Sequence, residues 1–580
     1  MPCVVVVMRL TAAHFATFFS TFRAAACVWP STRGSLVRTY LGPYVRRPRH
    51  GLHGLLRTYS SLLRYCNMPN RLLPQPHILD LRSLALFRIG LGLYLCYDVI
   101  SRTLPGVEWY SSPGFLHPDD SPHGNVVHKI WFARTTPGLQ YCLFAITFLL
   151  SIGLSVGKLT TIQSRLLLWV LVVSLQHRNM HVHDGSDNYT RQLLLWFSLL
   201  PDTVHEQMAK TFARKAPRPS PNVVQVNSLA CLGLSLQILL MYMGTIALRT
   251  IDGRPSKEWS SEWTAVHYVI RDQFAIRSNA FVEWLRQQPL WVTQSMTKHA
   301  MLAESSAIVW FLCPNSTSRI RVWGSVVLGT LHLGLLLVTR LPNWQFIGMI
   351  ASVLWIPTCS WDRWQGISAD WKKKASSKKG SSASSSSRSS SKLSPRRIWI
   401  YFYLSYSVYN FCGQRGWIAK HDGGDVGEFF RISQYWVMYA SPPKSAVVTN
   451  ILGYTRNGAS DDNDDDVMVD AMHGIKTGQW SPDSSPITNE TSLETVVSPR
   501  WERALDQWGR SKDRRRAQTL LKRLCHHIPE NIARLELIWK YYQIVGPNSD
   551  GSIQQERWIP SRNQPDVVIT VPCHQEVESG

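Results

Sequence analysis

Histidine and acidic side chains are most concentrated in one stretch that reads HRNMHVHDGSD. His177 and His181 are four residues apart, so they share one face if the segment is helical. Imidazole and carboxylate groups are common zinc ligands, and His183 and Asp184 would complete such a site. Histidines at a membrane surface need no metal, however, and we predict none here. A polar ligand pocket that includes Asp187 and a solvated helix cap remain as alternatives.

Isolated charged and polar side chains also interrupt apolar stretches. Arg88 and Asp98 lie in the first of these, where ten helical residues would separate them by about 15 Å, too far to pair. A charged group in lipid is costly without a partner, so we expect one for Arg88, and Glu304 is a candidate. We predict that His332 hydrogen-bonds between helices and that Gln237 faces other helices rather than lipid.

The longest apolar run, residues 226–248, carries no charge and ends at Arg249. As a helix it would extend about 34 Å, enough to cross a hydrocarbon core of about 30 Å. A soluble core helix of this length would show a polar face, whereas this run has only scattered polar residues. We therefore interpret it as a membrane span followed by a polar exit loop.

Eight further stretches have the character of spans, although 189–200 is short and 398–413 is rich enough in aromatic residues to lie in the membrane interface instead. They are residues 83–100, 138–157, 162–176, 189–200, 300–313, 322–338, 344–358 and 398–413. The predicted fold class is an all-α polytopic membrane helix bundle of eight or nine spans, followed by a small α+β soluble C-terminal domain. In that domain we predict strands at 446–452 and 467–472, a weaker strand at 535–545, and helices at 501–508 and 516–526.

Composition divides the chain into five segments. Residues 1–79 contain ten Arg and no acid, which is typical of an organellar transit peptide; a gene model that starts too early, with Met68 as the true start, is the alternative. Residues 80–371 hold the first eight spans, and the Lys/Ser tract 372–397 is too polar to bury a core, so we predict disorder. Residues 398–413 form a ninth span or an interfacial helix. Residues 414–580 form the soluble domain, where a disulfide between Cys525 and Cys573 is an option.

The net charge is +23, from 62 Lys and Arg against 39 Asp and Glu. It is spread over the leader, the short connectors and the Lys/Ser tract rather than gathered on one module, so we predict no nucleic-acid partner.

The positive-inside rule places the N-terminus on the cytosolic or matrix-equivalent side. Nine spans would put the C-terminal domain on the far side, where Asn489 of an N-E-T sequon would be glycosylated in the secretory pathway. Eight spans would keep it inside.

Several segments, in order, resemble the HTTM domain, the membrane domain of proteins related to vitamin K-dependent gamma-carboxylase. The opening LRSLALFRIGLG at 81–92, followed by Tyr97-Asp98, carries the resemblance first. QHRN at 176–179 and DGSD at 184–187 are similar to the polar junction after the third span. Leu236-Gln237 through Tyr242, with Trp259, resembles the central helix and its exit loop. QYWVMYASPP at 434–443 resembles the segment that opens the C-terminal domain, so the resemblance covers about residues 80–542.

The resemblance implies a helical membrane bundle followed by a β-containing soluble domain. In the carboxylases a lysine at the end of the central helix is the base, and it works with a reduced quinone, O2 and CO2. The matching stretch here is Ala247-Leu248-Arg249-Thr250, and arginine stays protonated, so it cannot act as an ordinary general base. The histidine that the carboxylases place near the start of the fourth span is replaced by Asp187.

We therefore predict an integral multi-pass membrane protein of this class that lacks carboxylase activity and binds a lipid or a quinone. The alternative is a membrane-embedded enzyme of carboxylase or epoxidase type that uses a reduced quinone. The candidate ligand pocket combines Arg88, Asp98, His177, His181, Asp187, Gln237 and Arg249. The predicted partner is the lipid bilayer of an endomembrane such as the endoplasmic reticulum, or of an organelle.

Overall fold

A computed structural model describes the following residues, apart from single positions inside these ranges and a few isolated positions outside them. They are residues 78–103, 136–178, 183–211, 225–250, 256–272, 279–312, 318–365, 395–415, 444–455, 467–471, 512–544, 558–560 and 566–573. The leader, most of the Lys/Ser tract, Asn489 and the predicted helix at 501–508, apart from isolated residues, lie outside them.

Helices make up most of the described chain. In order they are α1 (Leu81–Thr103), α2 (Pro137–Ser155), α3 (Ile162–Arg178), α4 (Gly185–Ser198), α5 (Asp202–Thr211), α6 (Leu229–Thr250), α7 (Lys257–Ser260), α8 (Ala265–Val269), α9 (Ala280–Arg286), α10 (Leu290–Ser305), α11 (Ala307–Leu312), α12 (Ser318–Val338), α13 (Trp344–Ser352, continued by the 3-10 turn Val353–Trp355), α14 (Thr358–Trp364), α15 (Pro395–Gln414) and α16 (Arg514–Leu524).

A short two-stranded sheet gives the bundle two distinguishable ends. Strand β1 (Ile78–Asp80) precedes α1, strand β2 (Gln225–Asn227) precedes α6, and the two strands pair antiparallel. Both long helices therefore start at the same end, which we call the entry end, and run toward the exit end. The pairing also explains why α6 begins at Leu229 rather than at the predicted Val226, whose backbone is extended in β2.

Neighbouring helices run antiparallel. Between α1 and α2, the Ser155 hydroxyl donates to the Ile89 carbonyl at 3.4 Å, while Cys96, farther along α1, lies 3.9 Å from the Phe148 carbonyl. Between α3 and α4, the Trp169 indole donates to the Arg191 carbonyl at 3.0 Å. Antiparallel neighbours with short connectors are the usual arrangement of a helix bundle.

Within the described part of the chain, four helices are long and apolar enough to cross a membrane: α1, α2, α6 and α12, the last counted from Ile320. In α2 and α12 only 33% and 28% of the apolar window is buried in the protein. Leu149 and Trp323, for example, are 65% and 64% exposed. Soluble monomers rarely expose apolar surface on this scale, so these faces indicate contact with lipid.

The remaining predicted spans differ from the helices observed. Helix α4 starts at Gly185, before the predicted 189, while α10 starts at Leu290, ten residues before its predicted start, and breaks at Ser306 before α11. The α13 helix has nine residues before its 3-10 turn, which makes it shorter than predicted. Helix α15 begins at Pro395, so the last three residues of the Lys/Ser tract are helical, because proline is well suited to a first helical position.

The C-terminal domain is a five-stranded sheet packed against α16. Its strands are β3 (Ser445–Thr455), β4 (Val467–Asp470), β5 (Ile532–Ile544), β6 (Trp558–Pro560) and β7 (Val567–Pro572). The order is β4-β3-β5-β6, with β7 also paired to β5, and every pair is antiparallel. The predicted β3, β4 and β5 are confirmed, and so is the Cys525–Cys573 disulfide, whereas β6 and β7 were not predicted. The core of this domain continues into Val99, Phe144 and Leu175 of the helical bundle.

Candidate functional site

The polar interior at the exit end is built around Arg102, which lies in the last turn of α1 and is 1% exposed. Its Nε donates to Asp98 Oδ2 at 3.0 Å, and its Nη2 donates to Asp187 Oδ1 at 2.5 Å. Asn343, just before α13, donates to the other oxygen of Asp98 at 2.5 Å. One guanidinium and two carboxylates thus connect α1, α4 and the start of α13, and Arg102 offsets part of a negative charge that would be costly alone in this interior.

A capping box at the start of α4 extends this polar group. The Asp184 carboxylate accepts from the Ser186 amide at 2.6 Å, and the Asp187 carboxylate accepts from the Asp184 amide at 3.1 Å. Each acid satisfies a free backbone donor at the helix start. The structure therefore has a helix cap here, but a buried one rather than the solvated cap among the alternatives, and it holds the Asp187 carboxylate where Arg102 can reach it.

One turn farther along α4, Arg191 links the cap to α3. Its Nη1 donates to Gln176 Oε1 at 2.9 Å and lies 2.7 Å from His183 Nε2. An arginine can only donate, so this nitrogen of His183 must accept and carry no proton. Gln192 then continues the network, accepting from the Tyr403 hydroxyl of α15 at 2.9 Å.

A second buried polar pair lies between α6 and α12. The Tyr242 hydroxyl is 2.8 Å from His332 Nε2, and both residues are at most 3% exposed. His332 also packs against Gly348 of α13, where a Cβ atom would lie 2.2 Å from the imidazole. The prediction that His332 hydrogen-bonds between helices is confirmed.

Arg249, in the last turn of α6, has an ion pair and an aromatic partner. Its Nη1 lies 2.5 Å from Glu304 Oε2 of α10, and its guanidinium stacks 3.9 Å from the centre of the Trp259 ring. A cation over an indole face is stabilised by the ring quadrupole. The expectation that Glu304 would partner Arg88 is wrong, since this carboxylate binds Arg249 instead.

Among the residues that the structure describes, Arg88 has no such partner. It is 5% exposed, and its Nε and Nη1 atoms make no hydrogen bond with any described residue. It packs near Gly157, at the turn after α2, and near Ala209 of α5, which places it toward the entry end. Asp98 is ten residues away along α1, and its carboxylate binds Arg102.

The seven residues proposed for one pocket therefore fall into different places. Asp98 and Asp187 meet at Arg102, Arg249 pairs with Glu304, and Arg88 lies toward the opposite end of α1. Gln237 is fully buried in α6, as predicted. The side chains of His177 and His181 lie outside the described residues.

Sequence reasoning missed Arg102, Asn343 and Arg191. Arg102 carried a usable signal, because it follows Asp98 by four residues and such pairs share a helix face. Arg191 lies within the predicted fourth span, where a buried charge calls for a partner. Asn343 carried no comparable signal, because its contact with Asp98 joins residues far apart in sequence.

A cleft lies between α2 and α3. It encloses about 280 Å³, including space open to the outside, and is lined by Gln140, Leu143, Phe144, Thr147, Leu171, Ser174 and Leu175. Sites for drug-sized ligands usually enclose about 300–1,000 Å³. Because much of the volume between α2 and α3 is open space and all but one of the lining side chains are buried, this cleft is a narrow gap rather than a preformed ligand pocket.

The chemistry available to these groups is limited by their charge states and partners. No lysine is among the buried polar residues in the described part of the chain, so it contains no desolvated amine of the kind that acts as a base. Within the same residues, no group of three or more His, Cys, Asp and Glu is placed to hold a metal ion. Comparison with protein-family models, curated proteins and solved structures finds no match to this chain.

Proposed function

We propose that this is a multi-pass membrane protein of the HTTM class that has no glutamate carboxylase activity and binds a lipid or a quinone. The pairing of Arg249 with Glu304 and Trp259 carries this proposal, because Arg249 stands where the resemblance puts the lysine base of the carboxylases. A guanidinium held by a carboxylate stays protonated and cannot remove a proton from a substrate.

The α2–α3 cleft is the proposed ligand site. Its wall combines apolar side chains with the polar Gln140, Thr147 and Ser174, a lining that suits an amphiphile with one carbonyl or hydroxyl group. Tyr141 and Ile146 of α2 are 50% and 45% exposed, so the face of α2 beside the cleft would contact lipid. A lipid or quinone would then enter sideways from the bilayer.

The carboxylase part of the proposal is tested with a glutamate-rich peptide, a reduced quinone and labelled CO2. We expect no incorporation of label by the wild-type protein in detergent or in vesicles. An Arg249→Lys variant should also be inactive, since Glu304 would keep the lysine charged. Incorporation by the wild-type protein would refute the assignment and favour the enzyme alternative.

The ligand part is tested by extracting the purified protein and identifying retained lipids and quinones by mass spectrometry. Leu171→Trp should fill the cleft and reduce retention, whereas Leu167→Trp, one turn earlier and 50% exposed, should not. Melting temperatures of both variants show whether they are folded. Equal retention in the two folded variants would remove the cleft as the site.

A further inference from the structure

Arginines cluster around α5 at the entry end, and two of them have an evident structural role. Arg165 Nη2 donates to the Ser198 carbonyl at 3.2 Å and to Asp202 at 2.6 Å, while Arg396 Nε donates to the Leu199 carbonyl at 3.0 Å. Both guanidinium groups therefore occupy the negative end of α4, where cations are stabilised.

Arg88 belongs to the same end but differs in its surroundings. It is buried, and its Nε and Nη1 have no hydrogen-bond partner among the described residues. A Cβ atom on Gly157 would lie 2.6 Å from Nη1, so only glycine lets this guanidinium come so close to the turn. Gly157 has φ +79°, and the next residue, Lys158, is exposed.

The electrostatic field at this end is positive. His205 of α5 is buried, and that burial, followed by the charges of Arg165, Arg396 and Arg88, lowers its pKa to about 2, against the opposing effect of its hydrogen bond to Phe197. Histidine is thus neutral here at physiological pH and adds no charge of its own. Among these arginines, the one with a carboxylate partner is Arg165, which binds Asp202.

We propose that Arg88, with Lys158 on the adjoining turn, binds the phosphate group of an anionic lipid at the entry end. A buried guanidinium without a partner is unfavourable, and a phosphate would accept its free N–H groups in a bidentate, charge-assisted contact. The inference rests on the proposed membrane placement. In that placement the entry end faces the cytosol, where anionic lipids are concentrated.

The competing explanation is that Arg88 only offsets the negative end of α2. The two explanations are distinguished by measuring the melting temperature of the delipidated full-length protein in detergent. The protein is titrated with phosphatidylglycerol, phosphatidylcholine or inorganic phosphate. A ligand that binds only the folded state raises the melting temperature. The variants are Arg88→Gln, Arg88→Lys and, as a control with the same charge change at the same end, Arg397→Gln on the exposed side of α15.

We expect phosphatidylglycerol to stabilise the wild-type protein and Arg397→Gln alike, with the apparent affinity reduced at least about tenfold in Arg88→Gln and partly retained in Arg88→Lys. An unchanged lipid response in Arg88→Gln overturns the proposal, and so does an equal loss in Arg397→Gln. If inorganic phosphate stabilises the wild type as well as the lipid does, the lipid assignment is wrong. If Arg88→Gln does not fold, the change in melting temperature of Arg88→Lys with phosphatidylglycerol tests the proposal instead. Loss of the α2–α3 ligand in Leu171→Trp is a separate result, so either proposal can fail alone.

Discussion

Buried arginines are held in this protein by groups from distant parts of the chain. Arg82, 2% exposed at the start of α1, binds Asp80 at 3.0 Å and Asp362 of α14 at 2.9 Å. Arg102 and Arg249 follow the same principle with carboxylates from other helices. Removing one member of such a pair leaves the other charged and poorly solvated, which is why these positions should tolerate substitution badly.

The first prediction concerns the buried ion pair between Arg249 and Glu304. Glu304→Gln should lower the free energy of unfolding by about 3–5 kcal/mol, because it removes the Glu304 carboxylate from a buried guanidinium. Glu283→Gln removes a carboxylate that is 51% exposed and pairs with Arg286, so its cost should stay below about 1 kcal/mol. Equilibrium unfolding in detergent measures the loss of stability in both variants. Similar costs for the two variants would mean that Arg249 is solvated or has another counter-charge.

At the scale of single residues, the sequence alone identified the buried charged side chains better than it identified their partners. Asp98, Asp187 and Arg249 stood out because charges in or beside apolar runs are unusual. Their partners depend on which helices pack together, and a pattern within one segment does not contain that information. Arg88 shows the limit most clearly, since a counter-charge was expected and the acid proposed for it binds another helix.

At the scale of elements, close packing is achieved where small residues face large ones. Gly233 of α6 packs against Trp196 of α4, and Gly348 of α13 packs against His332 of α12. Apolar runs located these helices, although their ends differ from the predicted ones where local capping intervened, as at Asp184. The break at Ser306 and the brevity of α13 left no clear mark in the hydropathy pattern.

The second prediction tests this packing. Gly348→Ala would place a methyl group 2.2 Å from His332, so it should cost about 1–3 kcal/mol through overpacking and weaken the Tyr242–His332 hydrogen bond. Gly334→Ala, on the same pair of helices, meets no atom within 4 Å and should be neutral or stabilising by up to about 1 kcal/mol. Thermal unfolding compares them. If Gly334→Ala were the more harmful of the two, the assigned faces of α12 would be wrong.

The third prediction concerns the contact between the exit loop and the C-terminal domain. Burial raises the pKa of Glu258, but hydrogen bonds from Lys444 and Ser256 outweigh it and lower that pKa below its usual value. The hydrogen bond to Glu258 raises the pKa of Lys444. A carboxyl group whose pKa is lowered by folding stabilises the protein at pH values above its pKa in the unfolded chain, and this stabilisation is lost as the pH falls through its pKa in the folded protein. A lysine whose pKa is raised by folding stabilises the protein at pH values below its pKa in the unfolded chain, and this stabilisation is lost as the pH rises through its pKa in the folded protein.

The contact should therefore be strongest between about pH 5 and pH 10. Because the Lys444 side chain is 61% exposed, we expect an effect below about 1 kcal/mol. The protection factor against hydrogen exchange at the start of β3, which corrects for the slower intrinsic exchange at low pH, should be lower at pH 4 than at pH 7, and Glu258→Gln should reduce that difference. Glu206→Gln, which removes an exposed carboxylate of α5 at the entry end, serves as the control. An unchanged pH dependence in Glu258→Gln would assign the effect to another group.

The arrangement of the whole molecule depends on α15. Its Arg396 binds carbonyls at the entry end of α4, and its Tyr403 stacks 4.2 Å from Trp196 inside the bundle. Trp399 and Tyr409 are exposed on its outer side. Farther along the chain, Lys444 contacts Glu258 in the loop that follows α6 at the exit end. The chain therefore passes from one end of the bundle to the other through α15, which favours an odd number of crossings.

This path predicts that the C-terminal domain lies opposite the basic connectors, outside the cytosol. The Cys525–Cys573 disulfide is consistent with that side, since disulfides persist in oxidising compartments. In the endoplasmic reticulum, Asn489 should then be glycosylated, and PNGase F should shift the wild-type protein but not Asn489→Gln. An N-terminal tag should remain accessible to protease in sealed microsomes. The contradicting result is a protein that carries no glycan and whose Cys525 and Cys573 react with maleimide without prior reduction. That result would place this domain in the cytosol or a matrix. It would also require α15 to lie along the membrane rather than across it.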